Sequence, residues 1–318
     1  MGVGLKVEEL ADQLKLFADE VLTGMGRAGE WMCMSHWDVV PDIVTFGKSF
    51  YDDFRKLEKD PTRLAWQGMV AIDLFNRVTR EHGVPVVYVT GRNLALTEGA
   101  VDEFGVRPPD ILIGDVGTSI RHYEDGAWRF DDGWIAHVQR VSPRWDAAAI
   151  KQAVADIDGL REQEPEHQNP FKQSYYANAG RKDAILADID DRVAGHYDEV
   201  IVYSYDSLDD KGLIDFLPNS ATKQTALEYV ADRAGAARED VVFCGDSGND
   251  ILPLTAGFRG VLVRNADEQL VGNVRKAMAD NPELKVYFAQ GGFMGLNGYY
   301  TSGVLEGADH YGLFDNAD

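Results

Sequence analysis

Short apolar runs alternate along the chain with segments whose apolar residues recur at helical spacing, the pattern of an α/β protein. From Arg63 to His82 the residues Leu64, Met69, Ile72, Phe75 and Val78 fall largely on one face, and Gly83 supplies a stop, which predicts a helix over 63–82. Val84-Pro85-Val86-Val87-Tyr88-Val89 is continuously apolar, as a parallel strand covered on both faces must be. A helix near 94–104, a strand at 110–114 and a hairpin turning at Asp125-Gly126 follow. The pattern then predicts helix 145–158, strand 171–176, helix 181–194 and strand 199–204, after which 212–218 returns the chain to the first sheet. Ser220-Ala221-Thr222-Lys223 opens a helix with a hydroxyl available as cap. Strands at 241–245 and 260–266 and helices over 267–279 and 299–313 complete the reading, while 13–18 alternate as one short strand near the start.

These elements predict a doubly wound, mostly parallel core sheet interrupted by a second unit. Between Tyr123 and Asp210 aromatic and charged residues are scattered through mixed helices and strands, the composition of an inserted α+β cap. The core is expected over 63–122 and 211–318, the cap over 123–210, and 1–62 is an atypical segment able to supply one core strand.

Charge narrows the partners. Lys and Arg number 31 against 53 Asp and Glu, a net charge of −22, which argues against nucleic acid and anionic membrane surfaces. Cys33 and Cys244 are the two cysteines, too few for a disulfide framework, so a reducing compartment fits. The start, Met1-Gly2-Val3-Gly4-Leu5-Lys6, lacks a signal-peptide pattern and no apolar run approaches the roughly 20 residues of a membrane helix. A cytoplasmic protein is the expectation.

Candidate chemistry centres on Val241-Val242-Phe243-Cys244-Gly245-Asp246-Ser247-Gly248-Asn249-Asp250, a strand running into a loop rich in oxygen ligands. Asp246 and Asp250 would meet at the carboxyl end of a sheet, where open α/β folds bind ligands, and oxygen donors suit a hard cation such as Mg²⁺. Thr90-Gly91-Arg92, also at a strand's carboxyl end, can offer a hydroxyl and backbone N–H groups to a phosphate. Lys223 sits in the first turn of its helix, where a cation opposes the dipole unless an anion lies before it. Gln168 to Tyr176 brings amides, Lys172 and tyrosines around a cap strand, groups suited to a hydroxyl-rich phosphorylated ligand. Asp156-Ile157-Asp158-Gly159 imitates a DxDG nucleophile motif but lies within helical periodicity and is followed by Leu160, so it is read as noncatalytic.

Thr90-Gly91-Arg92, Gly117-Thr118, Gln168 to Tyr176, Asp215-Phe216-Leu217-Pro218, Lys223, Gly245 to Asp250 and Val263-Arg264-Asn265-Ala266 together resemble the sucrose-phosphate phosphatase family, haloacid dehalogenase-like hydrolases with an α+β cap. The likeness runs from about Ile72 onward. It implies Mg²⁺ and hydrolysis of a sugar phosphate, sucrose 6-phosphate first, through an aspartyl-phosphate. By position, Thr90 and Lys223 would hold the phosphate, Asp246 would ligate Mg²⁺ and Asp250 would orient Asp246 or a metal-bound water. The resemblance also puts Gly91, Arg92 and Asn249 at the substrate, with Lys172, Gln168 and Asn169 facing the sugar from the cap.

The front of the chain departs from that family. Residues from Phe17 to Lys48 resemble the cofactor-binding stretch of class III pyridoxal-phosphate aminotransferases, in which the positions of Asp19 and Lys48 pair with the pyridine nitrogen and form the Schiff base. The family's opening Asp-x-Asp-x-Thr is matched only in part by Asp19-Glu20-Val21-Leu22-Thr23, where Val21 replaces the acid/base. Lys59-Asp60-Pro61-Thr62 has no strand before it. A pyridoxal-phosphate protein using Lys48 is the lesser alternative, because a transaminase needs a whole phosphate cup that the rest of the chain does not show, and a gene fusion that leaves a folded but inactive core is another. Two main readings remain. Either Asp19 is the nucleophile and shares the Mg²⁺, its strand 13–18 pairing beside the one ending at Thr90, or the core binds a sugar phosphate without hydrolysing it.

Overall fold

The computed structural model describes residues 43–46, 63–81, 83–104, 107–206 and 211–313. Its larger sheet has eight strands: β1 (Ile43–Phe46), β2 (Val86–Val89), β3 (Ile111–Gly114), β4 (Ser119–Glu124), β5 (Ala127–Phe130), β10 (Val241–Gly245), β11 (Arg259–Leu262) and β12 (Val286–Phe288). The spatial order is β12-β11-β10-β1-β2-β3-β4-β5. Pairs from β12 to β3 are parallel, and β4 and β5 add an antiparallel edge.

Continuous apolar strands are required here because both faces are covered. Val86, Tyr88, Val242 and Cys244 enter one core with Phe75 and Val78 of α1 (Arg63–Glu81) and with Val304 and Leu305 near the C-terminus. Val87, Val89, Val241 and Phe243 enter the other, with Trp134 of α3 (Asp132–Val141) and Leu227 of a later helix. The predicted helix α2 (Leu94–Phe104) and the Asp125-Gly126 turn are present, the turn with φ of 52° and 77° at its two central residues, as a tight hairpin demands.

A second, antiparallel sheet has the order β6-β7-β9-β8, built from β6 (Leu160–Glu162), β7 (Gln173–Ala177), β8 (Glu199–Asp206) and β9 (Lys211–Pro218). Tyr175, Ala177, Ile214 and Phe216 pack one face against α4 (Ala147–Val154) and α5 (Lys182–Val193). The boundaries of this unit differ from those expected. The hairpin β4–β5 and α3 belong to the large sheet, because Ile120 packs with Trp134 and Val138 in its core. Strand β9 does not return to the first sheet; Ile214 and Phe216 find their apolar partners on α4 and α5. The unit hangs from two adjacent links, where Ser142 Oγ donates to Asn219 Oδ1 (2.8 Å) and shares a 2.7 Å bond with Ser220 Oγ.

The slot between β10 and β2 is filled by Ile43–Phe46, in register with Val241–Cys244 on one side and Val86–Tyr88 on the other. With β3 on its far side, β2 has no edge left. Both sides of β2 are thus taken by described strands; the expected strand 13–18, Asp19 and Lys48 lie outside the described residues. Asp156 and Asp158 follow α4 in an exposed turn and pair with Arg192 and Arg181, so the DxDG imitation is a pair of solvent-facing salt bridges. Among the described residues no helix is long and apolar enough to cross a membrane.

Close approach seals the end of the sheet. Helix α9 (Thr301–His310) lies on β11 through two glycines. A Cβ at Gly307 would stand 2.4 Å from Val261 Cγ2, and one at Gly303 would stand 2.3 Å from the Gly298 carbonyl oxygen. Gly272, in α8 (Glu268–Asp280), has nothing within 4 Å of such a Cβ. Gly303→Ala should therefore destabilise the protein by about 1–3 kcal/mol through overpacking. Gly272→Ala should stabilise it by roughly 0.5–1 kcal/mol through helix entropy, and urea midpoints compare the two.

Candidate active site

Strands β10, β1 and β2 are neighbours and parallel, and the chain leaves them toward opposite edges of the sheet, so their carboxyl ends form a topological switch point. Three loops and one helix start converge there: 90–93 after β2, 115–118 after β3, 246–250 after β10, and the first turn of α6 (Lys223–Ala234).

The acidic loop and α6 are joined by a buried ion pair. Lys223 is 1% exposed and Asp250 is 0% exposed, values that place both charges wholly inside the protein. Lys223 Nζ donates to Asp250 Oδ1 at 2.6 Å and to Asn249 Oδ1 at 2.7 Å. Asp250 Oδ2 accepts from the backbone N–H groups of Asp246 (3.0 Å) and Ser247 (3.2 Å), so both carboxylate oxygens are engaged within the protein. This is the anion that the position of Lys223 called for. Thr222 caps the helix, its Oγ1 accepting from the Thr225 N–H at 3.2 Å. Gly245 is dictated by the same packing, since a Cβ there would stand 2.7 Å from Asp250 Cβ. Asp246 is buried, with Oδ2 3.5 Å from Asn265 Nδ2 and its carbonyl accepting from the Asp267 N–H. Cys244, at the end of β10, is buried, and desolvation followed by the nearby Asp250 charge pushes its thiol far up, so it is no nucleophile.

The loop after β3 carries the site's backbone strain. Asp115 and Val116 have φ of 53° and 62°, and a β-branched residue in that region is costly. It is zipped to the β2 turn by Val116 N–H to the Thr90 carbonyl (3.0 Å) and Asp115 N–H to the Arg92 carbonyl (2.9 Å). Thr90 is buried, and its Oγ1 accepts from the Arg92 N–H at 3.2 Å. Gly117, at φ 107°, lies against the helix start, where a Cβ would come within 2.2 Å of Thr222 C and 2.5 Å of Lys223 N. Gly91 is under no comparable constraint; its Cβ would meet Val116 Cγ2 at an ordinary 3.8 Å.

From the cap, Lys172 reaches this loop. It is 3% exposed, with Nζ 3.4 Å from Asp115 Oδ1, and Asn169 Nδ2 donates to Thr118 Oγ1 at 2.9 Å. Gln168 turns inward instead: its Nε2 donates to the Gln163 and Ser174 carbonyls and its Oε1 accepts from the Ser174 N–H. Asn169 Oδ1 likewise accepts from the Phe171 N–H. The structure thus brings Thr90, Gly91, Arg92, Lys223, Asp246, Asn249 and Asp250 to one end of the sheet, with Lys172 and Asn169 at the seam, while Gln168 shapes its own loop. Asp115 was not singled out by sequence, although its place directly after a parallel strand was a signal.

The eight-stranded sheet with its inserted antiparallel unit is the fold of haloacid dehalogenase-like hydrolases. The structure of the sucrose-phosphatase from Synechocystis sp. PCC6803, in complex with sucrose and phosphate, aligns with a TM-score of 0.62 at 21% identity, covering 86% of this chain and 98% of that one. The sucrose-6F-phosphate phosphohydrolase family profile matches residues 66–312, and the chain belongs to that family. A putative HAD-like hydrolase of Nitrosococcus oceani is 36% identical over 237 residues, 74% of this chain and 64% of that protein. Probable sucrose-phosphatase 2 of Arabidopsis thaliana is 30% identical over 208 residues, 64% of this chain and 47% of that one. The chain thus spans about half to two thirds of the length of these relatives. Residues 6–54 match class-III aminotransferases.

Two outcomes test the buried pair. Lys223→Met should cost about 3 kcal/mol, since it strands the Asp250 charge, and adding Asp250→Asn should recover part of that loss in urea unfolding. Cys244 should resist iodoacetamide in the native protein and react once urea unfolds it, as followed by mass mapping of the peptide that contains it, which keeps it apart from Cys33.

Proposed function

We propose that the chain is a Mg²⁺-dependent sugar-phosphate phosphatase, with sucrose 6-phosphate the first substrate to test. The observation that carries this reading is the convergence of Thr90, Lys223 and Asp246 at the carboxyl end of the sheet, with Asp250 holding the last two in place. Phosphoryl transfer depends chiefly on positioning and charge neutralisation, which a hydroxyl, an ammonium and backbone donors around one phosphate provide.

The donor set fits Mg²⁺. Oxygen ligands suit a hard cation, and Mg²⁺ needs only one or two carboxylates when water and phosphate complete its shell. Asp250 spends both oxygens inside the protein, which gives the ligand role to Asp246 and an orienting role to Asp250. When bound, Mg²⁺ would supply positive charge to the phosphoryl oxygens. Thr90 would donate to a phosphate oxygen, and Lys223 would hold Asn249 and the acidic loop toward it. Lys172 would face the sugar from the cap.

A second reading is favoured by β1. The strand filling the central slot is followed in sequence by Gly47-Lys48-Ser49, with no carboxylate where a nucleophile would leave the sheet. On this reading the chain binds a sugar phosphate and hydrolyses it poorly or not at all. Asp19, with Val21 in place of the acid/base, is the remaining candidate nucleophile, and loss of general acid–base help costs about 10²–10⁴-fold.

A phosphate-release assay on sucrose 6-phosphate, with and without Mg²⁺, separates the readings. The phosphatase reading predicts Mg²⁺-dependent release that Asp246→Asn reduces by at least about 100-fold and that Asp19→Asn abolishes. Release unaffected by Asp19→Asn removes that residue from the mechanism. The binding reading predicts a rise in Tm with sucrose 6-phosphate and no release.

A further inference from the structure

The 115–118 loop touches every other part of the site. It is tied to the Thr90 turn through Asp115 and Val116 backbone N–H groups, and it lies against the start of α6 at Gly117. It meets the cap through the Asp115 carboxylate and the Thr118 hydroxyl. The Asp115 side chain has two partners of different kinds: Oδ2 accepts from Ser119 Oγ at 3.0 Å within the core, and Oδ1 faces Lys172 Nζ at 3.4 Å across the seam. With Lys172 only 3% exposed and Asp115 7% exposed, the lysine charge is balanced by this carboxylate rather than by water. The loop bearing Lys172 is braced by backbone hydrogen bonds that Asn169 and Lys172 exchange at 3.1 Å in each direction, by Trp145 Nε1 donating to the Pro170 carbonyl at 2.8 Å, and by Phe171 packed against the core. Among the described residues, Asp115 is the carboxylate that faces this ammonium.

We propose that Asp115 is a positioning residue for Lys172, holding the cap's ammonium in register with the phosphate-side loops of the core. The Asn169–Thr118 hydrogen bond is the second tie of the same contact. The cap is also tied to the core by Asn93 Nδ2 donating to the Glu166 carbonyl at 2.8 Å and by Phe171 packed against the core, so the Asp115 contact serves to align the lysine with the Thr90 and Lys223 loops rather than to dock the cap alone. The left-handed backbone at Asp115 follows: the carboxylate must leave the end of β3 toward the cap while its N–H and carbonyl stay with Arg92 and Thr118. The role of Lys172 toward a ligand rests on the proposed function. The Asp115–Lys172 tie does not.

The test uses Asp115→Asn, Lys172→Met and the double variant of the full chain, with two readouts. Asparagine tolerates the left-handed backbone and can still accept from Ser119, so the core loop is kept while the charge is removed. In hydrogen exchange without ligand, each single variant should raise exchange at both 115–118 and 169–173 by about tenfold, and the double variant should add little. Amides of β2 and β10 should stay protected, and a variant that loses that protection is replaced by Asn169→Ala, expected to open the same two segments by a few-fold. In calorimetry, Asp115→Asn should weaken sucrose 6-phosphate by about tenfold and leave inorganic phosphate within about twofold. Exchange confined to the mutated loop, additive single effects, or equal weakening of both ligands would overturn the proposal. Failure of the wild type to bind either ligand would sink the functional reading alone, and the exchange result would still decide the tie between Asp115 and Lys172.

Discussion

The buried pair of Lys223 and Asp250 is the constraint from which the rest of the site follows. Two opposite charges taken out of water are tolerated only if every remaining lone pair and proton finds a partner. Asp250 meets that condition with two backbone N–H groups of its own loop, and Lys223 with the Asn249 amide oxygen. Each of these bonds fixes a piece of backbone, so the acidic loop can take only one path from Gly245 to the next helix. That path sets Asp246 at the end of the sheet, and the absence of a side chain at Gly245 is what lets Asp250 pack so closely.

A second constraint is transmitted through backbone contact. Gly117 presses on the first turn of α6, and its neighbours accept left-handed conformations that Asp and Val ordinarily avoid. Local cost of this kind persists only where surrounding contacts over-determine it. Here they do so from three sides: the Thr90 turn, the helix bearing Lys223, and the cap. The site is therefore a junction of loops rather than a row of independent side chains.

The middle of the sheet shows how little a parallel slot asks of its occupant. Ile43-Val44-Thr45-Phe46 lies within the stretch that matches class-III aminotransferases, yet it pairs in register on both sides in a sheet of the sucrose-6F-phosphate phosphohydrolase family. β-branched and aromatic residues with free backbone donors and acceptors suffice for such a strand. Chemistry is less forgiving, because it depends on which residue leaves the strand's carboxyl end.

Sequence alone determined the elements that rest on local periodicity and turn chemistry. The helix over 94–104, the Asp125-Gly126 hairpin and the strand ending in Gly245-Asp246 are present as the apolar pattern and glycine positions required. It also singled out Lys223 as a charge in need of an anion and set aside the Asp156-Ile157-Asp158-Gly159 imitation. Tertiary structure decided what depends on which surface an apolar face meets. Strand β9 belongs to the cap because Ile214 and Phe216 meet α4 and α5, and hairpin β4–β5 belongs to the core because Ile120 meets α3. The same holds for polar groups: Gln168 is consumed by its own loop, while Asp115 acquires its importance from a lysine 57 positions away (172 − 115). No window of sequence contains both partners of such a pair, and only folding brings the charges within reach of each other and out of reach of water.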